Sequence, residues 1–244
     1  MQQERRSGTA KLLFALCVFA VPVGGYRYYQ SRNVDPAASM PLPNADTRKS
    51  SCDLWFVGSS SIARWTTLER DMAPWRAINR GISGATLAYV NQRLANESAG
   101  SRPAGIFIYG GDNDIAYGEK VSDVVADFNG FLYLKSKRVG QVPTFVLSLK
   151  PSPARAEQLD EQRLFNSSAR RIAENRADTI YVDIAPKMLR GGKPGPFYAD
   201  DGIHLNTDGY HIWAKAVRSA LRRGLPRSVV RRCEQGRRHA EDRG

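Results

Sequence analysis

Short apolar runs recur along the chain and are typical of buried strands. Five of them are rich in β-branched and aromatic residues and are almost continuously apolar, as in a parallel sheet covered on both faces. They occupy residues 54–57, 77–79, 106–109, 144–149 and 179–184. The pattern predicts five strands, and the ligand site of such a sheet lies at the carboxyl ends of its strands.

Segments with a helical period lie between and after these runs. In two of them apolar residues recur at intervals of three and four, which places them on one helix face. The first set is Val121, Val124, Val125, Phe128 and Leu132, and the second is Tyr210, Trp213, Ala214, Val217 and Leu221. Asn206 or Thr207 can cap the second helix and Gly224 can end it. Strands that alternate with helices predict a doubly wound α/β sandwich.

The start of the chain has the pattern of an export signal. Arg5, Arg6 and Lys11 precede an uncharged apolar run of 14 residues at 12–25. That run is shorter than the ~20 residues of a full membrane span, which favours a signal peptide, but no A-x-A site follows it, so an uncleaved membrane anchor is equally open. We expect residues 1–29 to direct the protein to the periplasm or the exterior, either soluble or anchored to the membrane.

The remaining boundaries follow from composition. Residues 30–51 are rich in Pro, Ser and Asn without apolar periodicity, which is linker composition. A chain of 244 residues suits one α/β domain, which we place at 52–224. Residues 225–244 form a predicted basic tail.

The formal charge of +12 is concentrated at the chain ends. Residues 218–244 contain nine arginines against three acidic residues, a net of +6 and so half of the total. A basic extension of this kind is more often solvated than a specific reader of nucleic acid, and no helix-turn-helix, zinc-finger or RNP pattern accompanies it. We therefore expect no specific nucleic-acid partner.

Three cysteines are scattered along the chain. Cys17 belongs to the apolar run, whereas Cys52 and Cys233 could form a disulfide in an exported protein. With three histidines in the chain, these cysteines make no convincing ligand cluster, so we expect neither a metal nor a cofactor.

A serine-rich turn follows the first predicted strand. Gly58 lets the backbone bend sharply, and Ser59, Ser60 and Ser61 follow it. A nucleophilic serine would be presented at the sheet edge by such a junction, although a turn that only caps the next helix explains the same residues.

An aspartate and a histidine stand between the last predicted strand and the last helix. Asp201 precedes His204 by three residues, and at that spacing its carboxylate can fix the imidazole tautomer and stabilise the imidazolium. The alternative is a turn aspartate next to an ordinary surface histidine. A histidine in this context is a candidate general base.

Two further turns at strand ends offer hydrogen-bond donors. The third strand runs into a Gly-Gly-Asp-Asn-Asp turn that contains Asn113, and Gly81 and Gly84 follow the second strand. An amide side chain and backbone N–H groups that converge on one point make an oxyanion hole, worth about 3 kcal/mol per donor. Ordinary turns remain the alternative for both segments.

These four segments together resemble the SGNH (GDSL-type) hydrolases in order and register. The resemblance covers about 53–221 and implies a flavodoxin-like three-layer α/β/α sandwich with a five-stranded parallel sheet. It implies Ser60 as nucleophile, His204 as base and Asp201 as its partner, with the N–H groups of Ser60 and Gly84 and the Asn113 amide in the oxyanion hole. The usual Gly-Asp-Ser is Gly58-Ser59-Ser60 here, so register alone selects Ser60 over Ser59 or Ser61, and Gly84 over Gly81.

The resemblance implies an ester hydrolase that works through an acyl-enzyme. Export and a basic surface suggest a small or envelope-associated ester, such as a lysophospholipid or an O-acetylated glycan. An O-acyltransferase with the same triad and a catalytically silent, envelope-tethered binding protein are the alternatives. The segment 151–153 after the fourth strand either shapes the substrate pocket or is only a rigid loop start.

Overall fold

Five parallel strands form the central sheet of the protein in a computed structural model, which describes residues 35–45, 51–98 and 100–236. The strands are β1 (Asp53–Gly58), β2 (Arg76–Gly81), β3 (Gly105–Tyr109), β4 (Thr144–Leu147) and β5 (Thr179–Val182). Their order in the sheet is β2-β1-β3-β4-β5. The prediction of a three-layer sandwich on a five-stranded parallel sheet is confirmed.

Helices cover both faces of this sheet. They are α1 (Ser60–Ala63), α2 (Leu68–Met72), α3 (Leu87–Ala95), α4 (Asp112–Ala116), α5 (Val121–Arg138), α6 (Leu159–Glu174), α7 (Thr207–Gly224) and α8 (Arg227–Gly236). Helix α5 packs between α3 and α6 on one face, and α2 contacts α7 on the other. A short hairpin of β6 (Leu189–Arg190) and β7 (Lys193–Pro194) precedes α7.

The strand order reverses next to β1. From β1 the chain moves outward to β2, then crosses back to β3 on the other side of β1. Crevices at such switch points, outside the carboxyl ends of the strands, are where open α/β sheets bind ligands. The segments that follow β1 and β3 therefore flank the expected site.

Stacked aromatic rings fix the register of the central strands. Phe56 lies opposite Phe107, and Phe107 lies opposite Phe145, on β1, β3 and β4. The ring centroids are 4.8 Å and 4.5 Å apart, and all three side chains are buried. Because these rings fill one layer of the core, the carboxyl ends of β1 and β3 are held level with each other.

Part of the segment predicted to be a linker packs on the domain instead. Residues 35–45 include a short 3-10 helix, and Leu42 is buried. The guanidinium of Arg80, which is 1% exposed, donates to the Leu42 carbonyl at 2.9 Å and to Glu97 at 2.8 Å. Arg93 donates to the carbonyl of Pro41 at 2.6 Å. A Pro-rich segment has no periodic pattern, but its free carbonyls are suitable acceptors for these arginines.

The predicted basic tail begins with helix α8, which a disulfide between Cys52 and Cys233 joins to the start of β1. The expected pairing of these cysteines is therefore present. Cys17, the predicted export segment 1–29 and the final residues 237–244 lie outside the described part of the chain. Within the described part, no helix is both long enough and apolar enough to cross a membrane.

Candidate active site

The turn after β1 brings Ser60 to the edge of the sheet. Gly58 has a φ of +141°, and a Cβ there would stand 1.9 Å from the carbonyl oxygen of Tyr109. That carbonyl accepts the N–H of Ser59 at 3.0 Å. Only glycine fits such a close approach. Ser60 is then the first residue of α1, where its N–H has no acceptor within the helix.

The three consecutive serines are chemically identical, but their positions in the structure differ. Ser59 and Ser61 are each 2% exposed, and the Tyr210 hydroxyl donates to the carbonyl of Ser61 at 3.0 Å. The Ser60 hydroxyl lies 2.8 Å from Nε2 of His204. Of the three, Ser60 is the serine that faces the histidine.

Asp201 holds the other side of the imidazole. Its Oδ2 lies 2.6 Å from Nδ1 of His204, and its Oδ1 accepts the N–H groups of Ile203 and His204, each at 2.9 Å. The hydrogen bond from the His204 ring, followed by that from the His204 backbone, lowers the pKa of Asp201 well below its usual value. The carboxylate stays ionised, which places a proton on Nδ1 and leaves Nε2 to accept the Ser60 hydroxyl.

Asn113 contacts the loop after β2, which contains Gly84 and Ala85. Asn113 lies in the first turn of α4, and Gly111, the residue before this helix, has a φ of +111°. Its Nδ2 donates one hydrogen to the carbonyl of Ala85 at 2.9 Å, and the residue is 4% exposed. The Nδ2 group carries a second donor hydrogen.

Gly81, the last residue of β2, and Gly84, in the loop after it, have different surroundings. A Cβ at Gly81 would lie 2.3 Å from the backbone nitrogen of Ala63, so Gly81 serves the close packing of β2 on α1. Gly84 has a φ of +75°, and the nearest atom to a Cβ there is the Tyr117 hydroxyl at 3.9 Å. Of the two, Gly84 is therefore the glycine with open space around its Cβ position, and it precedes Ala85, whose carbonyl accepts the Asn113 amide.

Asp114, the residue after Asn113, forms a hydrogen bond to the start of α3, just after the Gly84 loop. Its Oδ1 accepts the N–H of Leu87, the first residue of α3, at 2.9 Å. Its Oδ2 is buried without a hydrogen-bond partner among the described residues. Burial, opposed in part by that hydrogen bond, raises the pKa of Asp114 to about 7.

Asp112, the residue before Asn113, forms a charged cluster with Tyr109, Lys150 and Arg155. Asp112 accepts the Tyr109 hydroxyl at 2.8 Å and lies 3.3 Å from Nζ of Lys150 and 2.9 Å from Nη1 of Arg155. Burial opposes ionisation of Asp112, but Lys150 and Arg155 hold its pKa below the usual value. Sequence reasoning missed this cluster. A lysine directly after the apolar run 144–149 was the available signal, because lysine is almost never fully buried unless it is paired.

A chain of hydrogen bonds from serine through histidine to a carboxylate, at the carboxyl end of a parallel sheet, is the arrangement that serine hydrolases use. A sequence model described as the GDSL-like Lipase/Acylhydrolase family matches residues 52–212. The chain belongs to this family and is by class a carboxylic ester hydrolase, as the sequence resemblance implied. No curated protein matches the chain.

Solved structures with the same fold come from several bacteria. A protein described as an acylhydrolase from Bacteroides fragilis aligns with a TM-score of 0.62 at 20% identity, over 80% of this chain and 98% of its own. A GDSL-like lipase from Bacteroides thetaiotaomicron aligns with a TM-score of 0.57 at 22% identity, over 84% of this chain and 100% of its own. The catalytic domain of a peptidoglycan O-acetyltransferase from Streptococcus pneumoniae aligns with a TM-score of 0.54 at 14% identity, over 72% of this chain and 97% of its own. At these identities the alignments support the fold alone.

Proposed function

We propose that this protein hydrolyses carboxylic esters through an acyl-enzyme formed on Ser60. The observation that carries the proposal is the pair of short contacts of His204, 2.8 Å from Nε2 to the Ser60 hydroxyl and 2.6 Å from Nδ1 to Asp201. A hydroxyl, an imidazole and an ionised carboxylate in this order form a nucleophile, a general base and a group that orients the base.

The first half of the reaction acylates the serine. Nε2 of His204 takes the Ser60 proton while Oγ forms a bond to the ester carbonyl carbon, and Asp201 stabilises the imidazolium. The negative charge on the carbonyl oxygen is received by the N–H groups of Ser60 and Gly84 and by the Asn113 amide. As the tetrahedral intermediate collapses, the bond to the alcohol breaks and His204 returns the proton to the departing oxygen.

The second half frees the enzyme. His204 removes a proton from a water molecule, which attacks the acyl carbon through the same oxyanion site. Collapse breaks the bond to Ser60 Oγ, which regains its proton from His204 and leaves the free carboxylic acid.

The substrate we propose is a small or envelope-associated ester, such as a lysophospholipid or an O-acetylated glycan. Two features favour this class. The charge and hydropathy of residues 1–29 are those of an export segment, and a disulfide between Cys52 and Cys233 suits an oxidising compartment. We accordingly propose a periplasmic or extracellular location, with the N-terminal segment as the means of any membrane contact.

Transfer of the acyl group to a sugar or lipid hydroxyl is the second candidate. The same Ser60 ester would form, and an acceptor hydroxyl would replace water in the second half. What favours it is the shared fold with a peptidoglycan O-acetyltransferase domain. Fold similarity does not fix the acceptor. A pure binding role is disfavoured, because a binding scaffold has no use for the aligned hydrogen bonds of Ser60, His204 and Asp201.

Turnover of p-nitrophenyl acetate by the full chain tests the proposal. We expect Ser60→Ala to lose at least about 10³-fold in kcat, whereas Ser61→Ala, which removes a neighbouring buried hydroxyl, should retain activity. A fluorophosphonate should label Ser60, as mapped by peptide mass spectrometry. Equal turnover by wild type and Ser60→Ala would refute the assignment. Acetylated product formed from added acceptor glycans would select the transferase.

A further inference from the structure

We propose that Arg155 is a positioning residue of the oxyanion site, which fixes the Asn113 amide and supports it with positive charge. The inference rests on the proposed function, because it assigns a purpose to the side chain behind one of the proposed oxyanion donors. Arg155 follows β4 in a 3-10 helix, Pro153–Gln158, and its side chain is 12% exposed.

Both ends of the Asn113 amide are held by the protein. Nη2 of Arg155 donates to Oδ1 of Asn113 at 2.8 Å, and Nδ2 of Asn113 donates to the Ala85 carbonyl at 2.9 Å. An amide is planar, with one acceptor and two donor hydrogens. Because Arg155 occupies the acceptor and Ala85 one hydrogen, the direction of the remaining N–H is set before any ligand binds.

Arg155 is itself fixed by the charged cluster. Its Nη1 lies 2.9 Å from Oδ2 of Asp112, and the same oxygen receives the Tyr109 hydroxyl and lies 3.3 Å from Nζ of Lys150. Asp112 is 2% exposed and Lys150 is fully buried. One carboxylate oxygen of Asp112 thus interacts with the Tyr109 hydroxyl, Lys150 and Arg155. The negative charge of Asp112 therefore neutralises the charge of Arg155 only in part.

This arrangement suits a charge that appears only during reaction. A guanidinium is always protonated, and its hydrogen bond to Oδ1 draws electrons from the amide, which makes the Nδ2 hydrogens stronger donors. Fixed dipoles and charges around a buried oxyanion are worth more than the same groups in water, because they need no reorganisation when the charge develops. Arg155 is placed to act through Asn113 without touching the substrate.

The loop that carries Arg155 also contacts the triad segment. The N–H of Ala154 donates to the Gly202 carbonyl at 3.1 Å, and the Tyr198 hydroxyl donates to the Pro151 carbonyl at 2.8 Å. A substitution at Arg155 could therefore lower activity by shifting the loop, and the test has to separate that effect from an effect through Asn113.

Steady-state kinetics on p-nitrophenyl acetate give the first comparison. We expect Arg155→Met to lower kcat about 10- to 100-fold and to change KM less than about threefold, because the interaction strengthens in the transition state. Arg155→Lys should be intermediate, since it keeps the positive charge but lacks the planar fork by which the guanidinium contacts Asp112 and Asn113 together. Arg170→Met is the matched control. Arg170 on α6 is also paired with an aspartate, Asp183, but its side chain is 48% exposed, and the variant should keep the wild-type rate.

A double-mutant cycle with Asn113→Ala decides the mechanism. If Arg155 acts through Asn113, Arg155→Met in the Asn113→Ala background should cost less than about threefold. If Arg155→Met lowers kcat by the same factor in the Asn113→Ala background as in wild type, the proposal is overturned. A wild-type kcat for Arg155→Met would also overturn it. Circular dichroism and Tm report folding, and if Arg155→Met does not fold, the same cycle is run with Arg155→Lys. Activity that survives Ser60→Ala would instead refute the proposed function.

Discussion

The carbonyl oxygen of Tyr109 occupies the space that a side chain at Gly58 would need. A Cβ at Gly58 would approach that oxygen to 1.9 Å, and the Gly58 φ of +141° is itself unfavourable for other residues. The same carbonyl accepts the N–H of Ser59 at 3.0 Å. The end of β3 thereby shapes the turn that leads from β1 to Ser60.

Gly58→Ala should therefore be severely destabilising. We expect a loss of at least about 3 kcal/mol in the free energy of unfolding, with loss of ester turnover, because backbone atoms have to move. Gly140→Ala is the control, since Gly140 also has a positive φ, +95°, but no atom within 4 Å of its Cβ position. It should cost only about 1 kcal/mol and leave kcat unchanged. Urea unfolding and p-nitrophenyl acetate turnover check both; similar losses for the two variants would contradict this role of Gly58.

Asp201→Asn should lower kcat about 10³- to 10⁴-fold with little effect on folding. The amide removes the charge that stabilises the His204 imidazolium and favours the wrong tautomer. Asp200, the exposed residue before it, supplies the control: Asp200→Asn should stay within about threefold of wild type. A kcat for Asp201→Asn close to that of the control would show that His204 works without this partner.

Asp114 should make stability depend on pH. Burial raises its folded-state pKa from 3.8 to about 7, so the folded protein binds a proton that the unfolded chain has released. Stability from this group is complete below pH 3.8 and is lost as the pH rises through about 7.

Asp114→Asn cannot ionise and keeps an acceptor for the Leu87 N–H. Its stability relative to wild type should rise by about 2 kcal/mol between pH 5 and pH 8 in urea unfolding. Asp160→Asn, on the exposed face of α6, should show no such change. A constant difference between wild type and Asp114→Asn across this pH range would be inconsistent with a raised pKa at Asp114.

Reduction of the disulfide should lower the Tm without changing the site. Cys52 and Cys233 are 181 residues apart in sequence. A crosslink that closes so long a loop lowers the entropy of the unfolded chain and raises the free energy of unfolding by about 2–5 kcal/mol. Dithiothreitol should lower the Tm of wild type and leave a Cys52→Ser/Cys233→Ser variant unaffected. If the reductant shifts both proteins equally, its effect does not come from this bond.

The sheet was predictable because its strands are short, apolar and rich in β-branched and aromatic residues. Strand β2 was the least complete prediction: it begins at Arg76 and continues through Arg80 to Gly81, beyond the predicted 77–79, and no apolar pattern reveals these residues. Arg80 is tolerated there because Glu97, the Leu42 carbonyl and the face of Trp55 surround its guanidinium. These partners are distant in sequence, so local propensity could not have indicated them.

Candidate site residues were predictable where the residues that contact each other are close in sequence. Asp201 and His204 are three residues apart, and their contact is local to one turn. The choice of Ser60 rested on register, since Ser59, Ser60 and Ser61 are chemically identical and differ only in which one the helix start turns toward His204. Lys150 and Arg155 meet Asp112 only after β3 and β4 pair, which is a consequence of topology.

Residues 35–45 bear on how much of the chain constitutes the independent folding unit. The match to the family begins at residue 52, yet the carbonyls that receive Arg80 and Arg93 lie upstream of it. A fragment cut at the homology boundary would retain both guanidiniums and lose the Leu42 and Pro41 carbonyls that accept from them, at a cost of a few kcal/mol. The edge of the shared sequence and the edge of the folded body differ in this protein, and an expression fragment is best designed from the second.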